Sequence, residues 1–371
     1  MARTRDDDAC PGALQVHQAA DGALARVRLP GGMIEAIQLE ALALAAARFG
    51  SPAMELTSRG NVQIRGISDP EALAESIADA GLLPSASHER VRNVVASALT
   101  GRRGGLADVR GRVRELDDAI QANGRLAALP GRFWFAVDDG RGDVSGLGAD
   151  VGVHFLDADT AALLLAGIDT GIRTQNVVST LTAVAERFVD LRGTAWRTTE
   201  LDDVTPLLDG MTPVAEPGAT WRPTTRPPVG WLTQDDGRVT LGAAVPLGVL
   251  KTRVAEYLAA VGAPMVITPW RSVLVCDLDE GVADTALRVL APLGLVFDDE
   301  SPWLDVSACT GSPGCAHSTA DVRRDAAAAV HDGTSTGHRH FVGCERACGS
   351  PPIGEVLVAT PGGYEPRRHP A

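Results

Sequence analysis

The sequence predicts an α+β protein built on an internal duplication, and three observations carry that prediction. Between residues 23 and 80 the elements run strand, helix, strand, strand, helix, the order of a small sandwich with helices on one sheet face. The same order returns near residues 239–290, at an offset of about 211 residues. The composition, 45% hydrophobic and 22% charged over 371 residues, is that of a globular chain long enough for two or three domains with real cores.

Residues 1–22 read as an irregular lead-in marked by Cys10-Pro11-Gly12. Ala23–Leu29 alternates like a strand, and Pro30-Gly31-Gly32 is a turn. Ile34, Ile37, Ala41, Leu44 and Ala45 recur at helical spacing, so a helix is expected over Ile34–Phe49, stopped by Gly50 and Pro52. Strands are expected at Met54–Leu56 and Val62–Ile67, joined through Thr57-Ser58-Arg59-Gly60-Asn61, and Ser68-Asp69-Pro70 opens a helix over Asp69–Ala80. A helix over Asp108–Ala122 follows, then strands at Arg132–Val137 and Val151–Phe155 and helices at Asp159–Ala166 and Thr174–Leu191. Thr205–Pro228 is rich in Pro, Thr and Gly without periodicity and reads as a linker. The second copy is a strand at Val239–Ala243, a helix at Pro246–Val261, strands at Met265–Ile267 and Ser272–Cys276, and a helix at Glu280–Leu290. A short strand, Glu355–Ala359, precedes a polar tail expected to fray.

The overlay places Thr57 on Thr268, Val62 on Val273 and Ile64 on Val275. Further on, Val95–Gly101 answers Asp305–Gly311, which sets Leu99 opposite Cys309; the first copy lacks the cysteine.

The net charge of −13 argues against general nucleic-acid binding, which needs a basic footprint. The longest apolar segment, Leu39–Ala47, has the length of a packed helix, and the N-terminus lacks the apolar core of a signal peptide, so a cytoplasmic protein without membrane attachment is expected. Lys251 is the only lysine; the cationic charge is otherwise Arg, crowded at Arg90, Arg92, Arg102, Arg103, Arg110, Arg112 and Arg114. Guanidinium forks bind carboxylates two bonds at a time, so such clusters suit an anionic ligand, although Arg102–Arg114 also reads as a solvated helix face.

Four of the six cysteines form two short pairs, Cys309-x5-Cys315 and Cys344-x3-Cys348, in polar loops rich in Gly, Ser and Pro. Buried apolar cysteines sit in Val/Leu/Ile runs instead, and nothing points to an oxidising compartment that would favour disulfides. Four thiolates from two loops suit a [4Fe-4S] cluster. Zinc is the rival reading: the second pair has ordinary zinc spacing and the first does not.

The duplicated α+β half, the two cysteine pairs in its second copy, and Thr57-x-Arg59-x3-Gln63-x-Arg65 in its first resemble the nitrite and sulfite reductase superfamily. The resemblance runs from about Cys10 to Pro351 and implies two ferredoxin-like α/β-sandwich half-domains plus [4Fe-4S]-binding α+β domains. It divides the chain into a first half-domain at 10–80, a cysteine-free α+β domain at 85–200, a linker at 205–228, a second half-domain at 229–300 and a cluster-binding segment at 301–371. Within the superfamily, Cys10-Pro11-Gly12, the short chain and the run Leu129–Gly140 resemble an oxygen-using branch that serves cobalamin biosynthesis. Where the reductases carry two lysines this chain has Arg132 and Trp134, and its second cysteine loop reads Cys344-Glu345-Arg346-Ala347-Cys348.

The resemblance implies that Cys309, Cys315, Cys344 and Cys348 bind the cluster, and that Arg59, Gln63, Arg65, Arg92 and Arg132 hold the carboxylates of a tetrapyrrole. In the cobalamin branch the tetrapyrrole is the substrate. Precorrin-3A would be hydroxylated by dioxygen at C20 and closed to a γ-lactone, in a monooxygenase-type oxidation with an electron donor as a further partner. An additional mononuclear non-haem iron is implied, with ligands the sequence does not assign. His317 and His340 lie nearest the cysteines and are expected to be satisfied loop histidines, and Cys10 and Cys276 ordinary packing residues. Two readings compete: a siroheme-dependent nitrite or sulfite reductase, in which the tetrapyrrole is cofactor, and a zinc-stabilised binding module.

Overall fold

The computed structural model of the chain describes residue 8, residues 10–333 and residues 337–367. Part of the expected lead-in lies outside the described residues; the rest of it contains β1 (His17–Ala19), which forms a hairpin with β2 (Gly22–Val27). Next come β3 (Met33–Ile34), α1 (Ala36–Phe49), β4 (Ala53–Leu56), β5 (Val62–Ile67) and α2 (Pro70–Asp79). Asp69 accepts the N–H of Ala72 and Pro70 occupies the first turn, so α2 starts where the capping signal put it.

The middle of the chain holds β6 (Val94–Ala96), α3 (Arg110–Ala122), β7 (Phe135–Asp138), β8 (Val151–Phe155), β9 (Ala161–Leu165), β10 (Ile168–Thr174) and α4 (Val177–Leu191). The helix expected over Asp159–Ala166 is therefore a strand. Its Ala and Leu side chains are buried on both faces of a sheet, and a short continuous apolar run carries no period that separates the two states.

The second copy comprises β11 (Gly230–Thr233), β12 (Val239–Ala244), β13 (Val249–Lys251), α5 (Thr252–Ala259), β14 (Met265–Ile267), β15 (Ser272–Leu278) and α6 (Glu280–Leu290). The single helix expected over Pro246–Val261 splits, because Val249–Lys251 pairs with the sheet of the first copy. The chain closes with β16 (Val306–Ala308), α7 (Val322–His331), β17 (Arg339–Val342), β18 (Glu355–Thr360) and β19 (Gly363–Pro366). The described part of the tail expected to fray instead forms β19, antiparallel to β18, and its last four residues lie outside the described residues.

Among the described residues four sheets result, with orders β1-β2-β5-β4-β13, β10-β9-β8-β7-β6, β11-β12-β15-β14-β3 and β16-β17-β18-β19. The first and third each take their last strand from the other copy: β13 pairs with β4, and β3 pairs with β14. One apolar core consequently runs through both copies, from Leu39, Leu42 and Ile64 to Leu241, Leu258 and Val275. The close approach at the exchange requires glycine: Gly32 has φ +69°, and a Cβ there would overlap the carbonyl oxygen of Ile267. Gly32→Ala is expected to cost about 2–4 kcal/mol in denaturant unfolding.

The second and fourth sheets are also related. In each, three parallel strands are followed by an antiparallel one, and a helix crosses over between the first two strands. No helix among the described residues is long and apolar enough to cross a membrane.

Candidate active site

Hydrogen bonds fix how the sheet copies correspond. The N–H groups of Ser97 and Cys309 donate to Val137 O (3.2 Å) and Phe341 O (2.9 Å), leaving the first strand for the second in the same way. The side chains then accept equivalent bonds, Ser97 Oγ from the N–H of Asp139 (3.0 Å) and Cys309 Sγ from the N–H of Gly343 (3.4 Å). Ser97, not Leu99, is thus the counterpart of Cys309. The overlay of identical letters slipped by two residues because it set Ser97-Ala98 on Ser307-Ala308 and Thr100-Gly101 on Thr310-Gly311, whereas the strand ends and the helices that follow them, α3 and α7, correspond at the spacing of Ser97 and Cys309.

Where the second copy has its cysteine loop, the first has an ion network. Asp138 is fully buried and accepts the N–H groups of Gly140, Gly142, Val144 and Ser145 at 2.8–3.0 Å. Burial pushes this carboxyl up, but the bonds from the His154 ring and from the Gly142 and Ser145 N–H groups prevail and hold it at about 2. Arg141 pairs with Asp139 at 2.6 Å.

The four cysteines lie at the ends of β16 and β17 and in the turns that follow. Burial raises the pKa of Cys309 and of Cys348, and nearby thiolates among the four raise both further, so four soft donors face one region. Among the described residues no three of these sulfurs lie within 4.8 Å of one another. One tetrahedral zinc would need sulfurs about 3.8 Å apart. The donor set and its wider spacing fit a multi-atom cluster better than a single ion.

The first copy braces these loops. A polar row crosses its sheet: Arg26 on β2 donates to Gln63 on β5 (2.8 Å), and Gln63 donates to Glu55 on β4 (2.8 Å). Glu55 accepts from Arg323 on α7 (2.5 Å). Arg65 binds Asp21 bidentately (2.8 and 2.9 Å) and donates to the carbonyl of Gly314, next to Cys315 (2.5 Å). Burial opposes the charge of Arg65, but Asp21 and Glu55 outweigh it and its pKa is raised. His340, fully buried, donates from Nε2 to Cys348 O (3.0 Å) and has Nδ1 against Ser307 Oγ (2.8 Å); burial drives its pKa down to about 3. It is a satisfied histidine, as expected, but it sits on strand β17 and not in a loop, and His317 is exposed.

Beside the cysteine turns lies a cavity of about 290 Å³, just below the usual range for small-molecule sites. Its walls come from both copies, the linker and the turn after Cys348: Arg59, Trp134 and Arg197, Thr224, Trp270 and Arg271, and Gly349 among them. The linker is held in place by Trp270 Nε1, which donates to Thr224 O (2.7 Å), and by Trp221 against His154 (4.4 Å). Arg197 is neutralised by Asp150 at 2.8 Å. Arg59 and Arg271 have no carboxylate partner among the described residues; burial lowers both pKa values, Arg59 to about 9 with Arg197 adding repulsion. The Arg59 guanidinium sits 5.6 Å from the Trp134 ring centroid.

Of the five residues expected to hold carboxylates, Arg59 alone lines the cavity. Gln63 and Arg65 brace the cysteine segment, and Arg132 is exposed and stacked on Trp196 (4.9 Å). Arg92 is committed to Asp117 on α3 by two bonds of 2.7 Å. Arg92→Leu is expected to cost about 2–4 kcal/mol in unfolding, by stranding Asp117, and to leave ligand affinity unchanged. Sequence reasoning missed Arg197 and Arg271. It also set Cys10 aside, whose sulfur accepts from Arg26 Nη1 (3.4 Å) and Arg28 Nη2 (3.5 Å). Cys276 is an ordinary core residue, its thiol pushed up to about 11 by burial.

The doubled ferredoxin-like half and the cysteine-bearing sheet behind a shared cavity define a member of the nitrite/sulfite reductase superfamily. Residues 17–78 match the family model of the nitrite/sulfite reductase ferredoxin-like half domain. The structure of the NirA protein of Mycobacterium tuberculosis superposes with a TM-score of 0.76 over 93% of this chain and 73% of that one, at 18% identity. A ferredoxin–nitrite reductase of Synechococcus elongatus is 33% identical over 127 residues, 32% of this chain and 25% of that enzyme. A precorrin-3B synthase of Sinorhizobium sp is 30% identical over 96% of this chain and 81% of its own length. The chain belongs to the precorrin-3B synthase family.

Proposed function

We propose that this enzyme converts precorrin-3A to precorrin-3B with dioxygen, hydroxylating C20 and closing a γ-lactone, in aerobic cobalamin biosynthesis. The observation that carries the reading is a cavity with two carboxylate-free arginines, Arg59 and Arg271, set directly against the turn that follows Cys348. A polycarboxylate macrocycle would relieve both uncompensated cations, and Trp134, Trp270 and Trp303 offer aromatic surface to a flat ring. Cys309, Cys315, Cys344 and Cys348 would hold a [4Fe-4S] cluster, which when bound supplies one-electron redox chemistry. Arg65 and Arg323 then keep the cluster segment in register with the cavity wall.

The test is anaerobic incubation of the purified holoenzyme with precorrin-3A, followed by admission of air. Product is expected only after oxygen; product without it, or none after it, would sink the reading. Siroheme absorption bands in protein purified anaerobically would favour the reductase alternative. The 32% of the chain shared with a nitrite reductase is what keeps that alternative in view.

A further inference from the structure

The loop after β4, Thr57–Gly60, and the loop between β14 and β15, Thr268–Arg271, are counterparts in the duplication. At their shared offset of about 211, Gly60 stands opposite Arg271. Both have left-handed backbone, φ +67° and +58°. Glycine adopts that conformation freely, whereas arginine pays for it in backbone strain. Residues held in this conformation cluster at ligand sites, and this side chain lines the cavity.

Its path is built for it. A Cβ at Gly248 would stand 2.6 Å from Arg271 Cδ, and one at Gly349 would stand 2.7 Å from Nη2, so two glycines clear the way. Nη2 donates to Gly349 O (2.9 Å), one residue past Cys348. It is the only hydrogen bond of the guanidinium among the described residues, and a guanidinium has five N–H donors.

Resting on the tetrapyrrole reading above, we propose that Arg271 binds a carboxylate of the macrocycle and seats that edge of the ring against the cysteine turn. The second copy thereby supplies a cation facing Arg59 of the first, and the ligand is gripped from both sides.

The reconstituted holoenzyme and its Arg271→Gly and Arg59→Leu variants would be titrated with uroporphyrin, an octacarboxylate, by fluorescence quenching, with melting temperature and iron content measured alongside. For Arg271→Gly, Kd is expected to rise by about tenfold or more, the worth of one lost bidentate contact. Melting temperature should stay level or rise, since glycine removes the strain, and iron content should be unchanged. Unchanged Kd in Arg271→Gly, with weakened binding in Arg59→Leu, overturns the assignment of Arg271 alone. A fall in melting temperature with loss of iron and no change in Kd makes Arg271 a brace for Gly349, and also overturns it. Failure of the wild-type enzyme to bind uroporphyrin overturns the tetrapyrrole reading and the assignment with it.

Discussion

Replacing Cys344 by serine should empty the enzyme of iron. Iron and acid-labile sulfide, expected at about four of each per chain in the wild type, should fall close to zero, and turnover of precorrin-3A should be lost. A hydroxyl is a poor ligand for iron in such a cluster, and three remaining thiolates hold it weakly. The cysteine segment should keep its place without the cluster, because Arg65 still reaches Gly314 and Arg323 still reaches Glu55. Circular dichroism close to that of the wild type is therefore expected. Cys276→Ser is the control, since Cys276 is buried in the core next to Leu274 and Val266 and should change neither metal content nor turnover. Full retention of iron and sulfide in Cys344→Ser would remove this residue from the ligand set.

Asp138→Ala should cost about 3–5 kcal/mol, the largest stability loss expected of any single polar substitution here, because four backbone N–H groups lose their acceptor inside the protein. The pH dependence has a definite sign. The folded pKa of about 2 lies below the ordinary 3.8, so the carboxylate's contribution is complete above about pH 4 and drains away as the pH falls toward 2. Urea unfolding of wild type and variant across that range should show a gap that is constant near neutrality and narrows in acid. A gap independent of pH would mean that the loop is held by something other than this charge.

The elements that could be read from the sequence are those whose signals are local. α6 begins and ends where expected, at Glu280 and Leu290, and β14 falls on Met265–Ile267, because an amphipathic period and flanking breakers specify them without help from distant chain. The elements that could not be read are made by partners far away. β3 and β13 are strands only because the other copy's sheet has an open edge, and β9 is a strand because β8 and β10 flank it. α7 went unnoticed because Val322, Ala326 and Val330 are a thin apolar stripe in an otherwise polar stretch. The cysteines stood out by residue type and loop context. The arginines did not sort themselves, since a guanidinium aimed at a cavity and one paired with Asp117 look alike as letters. The clue to Arg271 was present nonetheless: the same overlay that aligned Thr57 with Thr268 set a charged residue where its twin has glycine.

The reciprocal exchange of β3 and β13 gives the molecule the topology of a domain-swapped dimer whose two subunits have been joined in one chain between α4 and β11. In such an arrangement the covalent link sets only the effective concentration of one copy for the other, while the shared core and the traded strands supply the adhesion. A protease cut within the linker should leave two fragments that travel as one particle. Neither gene half should yield a folded product alone, since each sheet would lack its edge strand and each half of the core its lid. The exchange thus ties together two copies whose equivalent loops differ, one ion-paired and one bearing cysteines.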